Sequence, residues 1–158
     1  MSRELDKIDS RILNELQANG RLSIVELASR INLTNTPCSE RVRRLEKSGI
    51  IKKYCAVLDP NALGYSHLSV VQISMAATAN SSLDDFNTAV QEVDEIESCL
   101  MIAGSFDYVL IVRTRDMAHF RIVLGEQISK LPGIRQTNSF AVMEVVKEAR
   151  EIDVKPQS

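Results

Sequence analysis

The four residues Ser23-Ile24-Val25-Glu26 constrain this chain more than any other stretch. A serine hydroxyl that accepts the backbone N–H three residues on, with a glutamate reaching back to the serine N–H, is a capping box, and it starts a helix at one defined residue. Leu22 and Leu27 hold the flanking staple positions, and Leu27, Ala28 and Ile31 continue one apolar face. Asn32 is suited to the left-handed backbone that ends a helix. Thr36-Pro37 follows at once and reads as an N-cap with proline at the first helical position, predicting a third helix over 37–48 that stops at Gly49. Ahead of both, Ile8, Ile12, Leu13 and Leu16 predict a first helix over 6–19, capped by Asp6 and stopped at Gly20. Two short helices joined by a tight turn and packed on a preceding one form a helix-turn-helix.

On a helical wheel, the third helix separates into two stripes. Cys38, Val42 and Leu45 face its scaffold, while Glu40, Arg43, Arg44 and Lys47 point away, with Thr36, Ser39 and Arg41 on the flanks. A helix fixed along one edge, with guanidinium forks along the other, has what is needed to enter a major groove. Thr36, Ser39, Glu40 and Arg43, nearest its start, are the candidates for base contacts. Arg44, Lys47, Lys52 and Lys53 are the candidates for phosphate contacts, which strengthen binding without carrying sequence information. The plainer alternative for Arg43 and Arg44 is a solvated basic face; the capping box, turn and Thr-Pro start weigh against it. Charge points the same way: residues 1–58 carry 11 Lys/Arg against 7 Asp/Glu, whereas residues 59–158 carry 8 against 14. A basic N-terminal piece on an acidic remainder directs only the former toward a polyanion such as double-stranded DNA.

After an extended stretch over 51–58 and the break at Asp59-Pro60-Asn61-Ala62-Leu63-Gly64, the pattern changes. It predicts a strand over 66–77, a helix over 82–93, strands over 96–103 and 107–115, a helix over 117–130 and a strand over 134–146. The order βαββαβ is ferredoxin-like, an antiparallel sheet with both helices on one face. The chain is therefore α+β: a helix-turn-helix domain over 1–50, a linker over 51–64 and an αβ-sandwich over 65–158. Leu68, Val70, Leu100, Ile102, Val109 and Ile111 make the second sheet face too apolar for water, so a second copy is expected to cover it. The turn Gly104-Ser105-Phe106-Asp107 offers a close backbone approach and a carboxylate able to hold a ligand's ammonium group. The plainer alternative is a hairpin with Asp107 bonded within its own turn.

Other chemistries are poorly represented. Cys38, Cys55 and Cys99 are odd in number, form no CxxC pair and are expected as small buried hydrophobes rather than disulfide or zinc ligands. His67 and His119 are isolated from each other and read as packing or surface residues, so no metal and no cofactor is expected. Glu92, Asp94, Glu95 and Glu97 read as a solvated acidic face. Neither a nucleophile–base set nor a phosphate-binding loop is visible, which makes an enzyme the remotest alternative. No apolar run approaches the roughly 18 residues a span requires, and the charged opening Met-Ser-Arg-Glu-Leu-Asp-Lys is unlike a secretory signal. The expectation is a cytoplasmic protein without a membrane partner.

The order of motifs resembles the Lrp/AsnC family of feast/famine regulators over nearly the whole length. It rests on Leu5-Asp6…Asp9…Ile12-Leu13, Leu33-Thr34-Asn35-Thr36-Pro37-Cys38-Ser39-Glu40-Arg41-Val42, Gly49-Ile50-Ile51, Gly104-Ser105-Phe106-Asp107-Tyr108 and Phe140-Ala141-Val142-Met143-Glu144. Phe86–Gln91 and Met143–Lys147 look most like the family's leucine-responsive branch. The resemblance implies a transcription regulator with a winged-type helix-turn-helix domain and a RAM-type αβ-sandwich domain, dimers stacking into octamers, and an amino-acid effector such as leucine or methionine. By the same resemblance the effector cleft involves Met101, Gly104, Ser105, Phe106, Asp107, Met117, Phe140, Ala141 and Val142, some of them from a neighbouring subunit. Ser105 stands where many members carry an acidic residue, which reduces the charge of the turn. A nucleoid-organising protein that wraps DNA with little ligand response is the alternative within the same class.

Overall fold

The computed structural model describes residues 5–76, 80–148 and 151–156. The chain divides into two compact units, one made of the residues up to Val57 with those from Lys147 onward, the other of Leu58–Val146.

The first unit holds helices α1 (Lys7–Ala18), α2 (Ile24–Ile31) and α3 (Asn35–Lys47). Each boundary has a local cause. The Asp6 carboxylate accepts the N–H groups of Ile8 and Asp9, both at 2.8 Å. The Ser23/Glu26 capping box is closed in both directions, at 2.8 and 3.2 Å. Asn32 takes the left-handed conformation at φ 59°, and Gly49 does the same at 75° just beyond α3. Two boundaries differ from the sequence expectation. The third helix starts two residues early, at Asn35, with Thr34 rather than Thr36 at the N-cap and no side-chain cap. Pro37 is tolerated there because the first helical N–H groups have no partner within the helix. Helix α1 ends on Asn19 in extended backbone rather than on a left-handed Gly20.

Ile12, Leu13, Leu27, Ala28, Ile31, Cys38, Val42 and Leu45 interlock as the core of this unit. No strand is formed among its described residues, and the stretch over 51–58, expected as an extended connector, carries neither helix nor strand. The larger difference concerns the end of the chain. Residues 151–156, expected within the sandwich domain, belong with the helices. Gln17 donates to the Ile152 carbonyl and accepts its N–H, both at 2.8 Å. Asn14, one helical turn earlier, does the same for Val154 at 3.2 and 3.3 Å. The two amides stand in for a neighbouring strand, and Val154 packs on the helical core.

The second unit holds β1 (His67–Met75), α4 (Asn80–Ala89), β2 (Ile96–Met101), β3 (Tyr108–Thr114), α5 (Met117–Glu126) and β4 (Ile134–Ala141), with a short 3-10 turn after each helix. The expected final residue of the first strand, Ala77, lies outside the described residues. The last strand is shorter than expected and ends at Ala141. The sheet order is β2-β3-β1-β4, every pair antiparallel, which is the ferredoxin-like arrangement. Val71, Ile73 and Met75 of β1, with Tyr108, Leu110 and Val112 of β3, face Phe86, Val90, Phe120, Val123 and Ile128 in one core. The alternate residues of the same strands form the open face. There Val70 lies in register with Ile111 on one side and Phe140 on the other, and Leu100 and Phe140 remain more than half exposed. Among the described residues no helix is long and apolar enough to cross a membrane.

Candidate functional site

The groove-facing candidates lie on the outer side of α3. Thr36, Glu40, Arg43 and Lys47 are exposed, and Ser39 is half-buried. The early start of α3 places Thr36 inside the first turn. Lys52 and Lys53 are exposed on the extended segment that leaves α3. Behind them, Tyr54 donates to the Glu46 carboxylate at 3.0 Å. Burial and this carboxylate together push the phenol up to about 12.

Arg44 departs from the wheel. It does not point away from the scaffold: its Nη2 lies 2.7 and 2.9 Å from the two oxygens of Asp9 on α1. The flanking Arg41 reaches the same carboxylate at 2.8 Å and Asp6 at 2.6 Å. Burial alone would raise the Asp6 carboxyl, but the N–H groups of Asp9 and Ile8 and the Arg41 guanidinium hold it below its ordinary value. The wheel missed this pairing because it shows one helix, while the partner sits on another, more than thirty residues earlier.

The nine effector candidates fall into two groups in one chain. Met101 ends β2, and Gly104, Ser105, Phe106 and Asp107 form the turn into β3. Met101 pairs with Tyr108, which pairs with Ile73, which pairs with Thr137. Phe140 and Ala141 lie further along β4, opposite Val70 and Ser69, and Met117 follows the far end of β3. Three strand spacings and three rungs separate Met101 from Phe140, which is roughly 14 Å across and 10 Å along the sheet. A single chain does not bring all nine together. Met101, Met117 and Phe140 are each more than half exposed, and Val142 is tied by its N–H to the Leu68 carbonyl at 2.9 Å.

Within the turn, Asp107 has a structural task. Its carboxylate accepts the Met75 N–H at 2.7 Å, and its own N–H donates to the Ile73 carbonyl at 2.8 Å. Its backbone carbonyl takes the Ile102 N–H at 2.9 Å, closing the hairpin. One carboxylate oxygen makes no hydrogen bond among the described residues. Gly104 is not in a left-handed conformation, and a Cβ there would meet only the end of Ile102, at 4.0 Å. The fold leaves open space beside this backbone without requiring glycine.

The remaining candidates are now placed. His67 bonds Ser69 at 2.9 Å and packs tilted against the Phe120 ring, with centroids 5.5 Å apart. His119 accepts the Arg115 N–H at 3.3 Å and faces Glu95 at 3.5 Å. Glu97 is ion-paired with Arg113, so the acidic face is in part a cross-strand network. Cys38 is buried and Cys99 half-buried, but Cys55 is exposed, contrary to expectation. Burial raises the Cys38 and Cys99 thiols. Among the described residues no group of three or more His, Cys, Asp and Glu is arranged to hold a metal ion.

The sequence matches a winged helix-turn-helix DNA-binding family over residues 5–52 and the Lrp/AsnC ligand binding domain over residues 68–152. The leucine-responsive regulatory protein of Escherichia coli K12 is 46% identical over 153 residues, covering 97% of this chain and 93% of that one. A Neisseria meningitidis transcriptional regulator, solved as an L-methionine complex, superposes with a TM-score of 0.88 at 32% identity, covering 94% of this chain and 96% of that one. The feast or famine regulatory protein of M. tuberculosis, also complexed with L-methionine, gives a TM-score of 0.85 at 32% identity, covering 95% and 99%.

Proposed function

This chain belongs to the Lrp/AsnC family, and on that premise we propose that it is a sequence-specific transcription regulator whose DNA binding responds to a free amino acid. It is a DNA-binding protein with an amino-acid ligand-binding domain, and its relatives are regulators rather than enzymes. The observation that carries the reading is the outer side of α3. Arg43 and Lys47 are exposed there without an ion pair among the described residues, on a helix held from behind by Cys38, Val42 and Leu45.

Thr36, Ser39, Glu40 and Arg43 read bases, and Lys47, Lys52 and Lys53 hold phosphates. Arg44 is removed from the phosphate set, because Asp9 already occupies its guanidinium. The effector cleft forms between copies: the Met101–Asp107 end of one subunit meets the Met117 and Phe140–Val142 residues of another. The separation of these groups within one chain supports that arrangement. Dimers form through the open sheet face and assemble into an octamer in the cytoplasm. Leucine or methionine is the effector, supported by the name of the E. coli relative and by the ligands of the two solved neighbours. The aliphatic side chain lies against Met101, Met117 and Phe140, and the free oxygen of Asp107 takes the ammonium group.

The test is selection of duplexes from a random pool, followed by titration with each amino acid. Arg43→Ala is expected to relax sequence preference, whereas Lys52→Ala weakens all duplexes alike and reduces the salt slope by about 1. A protein that enriches no sequence, or whose binding no amino acid alters, refutes the proposal.

A further inference from the structure

Helix α3 carries four cations within seven residues: Arg41, Arg43, Arg44 and Lys47. Left free, all four would attract any phosphate backbone, and that attraction carries no sequence information. The fold commits two of them to acids. Arg41 Nη1 lies 2.6 Å from Asp6 and 2.8 Å from Asp9, and Arg44 Nη2 lies 2.7 Å from Asp9. The Asp9 side chain is only 6% exposed, so water and salt screen this pairing weakly. Neither acid is free to swing away. Asp6 caps α1 through two backbone bonds, and Asp9 sits in the first turn, where the helix dipole favours its charge. Arg43, between the two clamped arginines in sequence, is exposed and makes no ion pair among the described residues.

We propose that Asp6 and Asp9 are specificity-positioning residues for DNA recognition: they clamp Arg41 and Arg44, which sets the rotation of α3 and withholds two cations from non-specific phosphate contact. This rests on the DNA-binding reading above and adds a task that neither the groove contacts nor the phosphate contacts perform. Acidic residues next to a DNA-binding helix are thereby useful, because they lower affinity for the wrong duplex more than for the right one.

The full-length Asp9→Asn variant keeps the size of the side chain and removes its charge. Two duplexes are compared: one enriched from a random pool by the wild-type protein, and a scrambled duplex of the same length. Asp9→Asn frees Arg44, while Arg41 keeps Asp6. Affinity for the scrambled duplex is expected to rise roughly tenfold at 0.1 M salt, and its log–log salt slope to steepen by about 0.9. The Asp6→Asn/Asp9→Asn double variant, which frees both arginines, is expected to steepen it by about twice that. The selected duplex, whose base contacts need the set orientation, gains less, so discrimination narrows. Asp6→Asn, at a half-exposed side chain that the fold tolerates more readily, is expected to give a smaller change of the same sign. Adding Arg41→Gln and Arg44→Gln to Asp9→Asn returns the slope to its wild-type value. A merely structural role would lower both affinities together and leave the slope alone, and that result overturns the proposal. So does a slope that stays steep in the triple variant. If the wild-type protein enriches no duplex, the DNA-binding reading itself fails, a different outcome from a wild type that discriminates and an Asp9→Asn variant that matches it.

Discussion

Asp107 is asked to do two things, and they separate by substitution. Its carboxylate accepts the Met75 N–H at 2.7 Å at the end of β1, next to a hairpin closed by its own backbone. A hydrogen bond to a charged acceptor contributes about 1.5–3 kcal/mol net, and stranding a part-buried donor costs about 1–3 kcal/mol. Asp107→Ala removes the acceptor and leaves the Met75 N–H unpaired, so it should cost about 2 kcal/mol. In a unit of this size that is roughly a 10 °C fall in melting temperature. Asp107→Asn keeps a neutral oxygen for the same N–H and should cost about 1 kcal/mol or less. For effector binding the order differs: both variants lack the negative charge, so both should bind leucine or methionine at least tenfold more weakly, in line with about 1.5–3 kcal/mol for a charge-assisted contact. Thermal unfolding and calorimetric titration of the same preparations measure the two effects. Equal stability of the Ala and Asn variants would refute the structural argument, and unchanged amino-acid affinity in Asp107→Asn would refute the ammonium contact.

Other outcomes follow from the same contacts. Leu27, 1% exposed at the centre of the helical core, is expected to cost about 2–5 kcal/mol on truncation to alanine, measured by denaturant unfolding. A loss under 1 kcal/mol would mean that the core is not organised around it. Asp6 and Glu26 both titrate below their ordinary values: Asp6 because its hydrogen bonds and Arg41 outweigh burial, Glu26 because the Ser23 hydroxyl and N–H bond its carboxylate. A depressed folded-state value means stability that is present above the ordinary carboxylate range and lost as pH falls through the folded one. Melting temperature should therefore fall as pH drops through and below the ordinary carboxylate range, and the Asp6→Asn/Glu26→Gln double variant should flatten that limb; an identical limb would exclude both groups as its source.

Local chemistry determined the elements of this protein. The capping box at Ser23/Glu26, the left-handed Asn32 and the alternation of Val71, Ile73 and Met75 act within a few residues, so they are visible in one dimension and recur in three. The stripe Cys38, Val42, Leu45 is equally local, and all three are buried. Tertiary structure alone decided what pairs with what over distance. Nothing near Arg44 announces Asp9, and nothing near Ile152 announces Gln17, because ion pairs and amide-to-backbone contacts depend on which surfaces the core brings together. The same reason separates the effector residues: the two groups that the family resemblance assigns to one cleft, some of them from a neighbouring subunit, lie at different ends of a sheet whose strand order only folding sets.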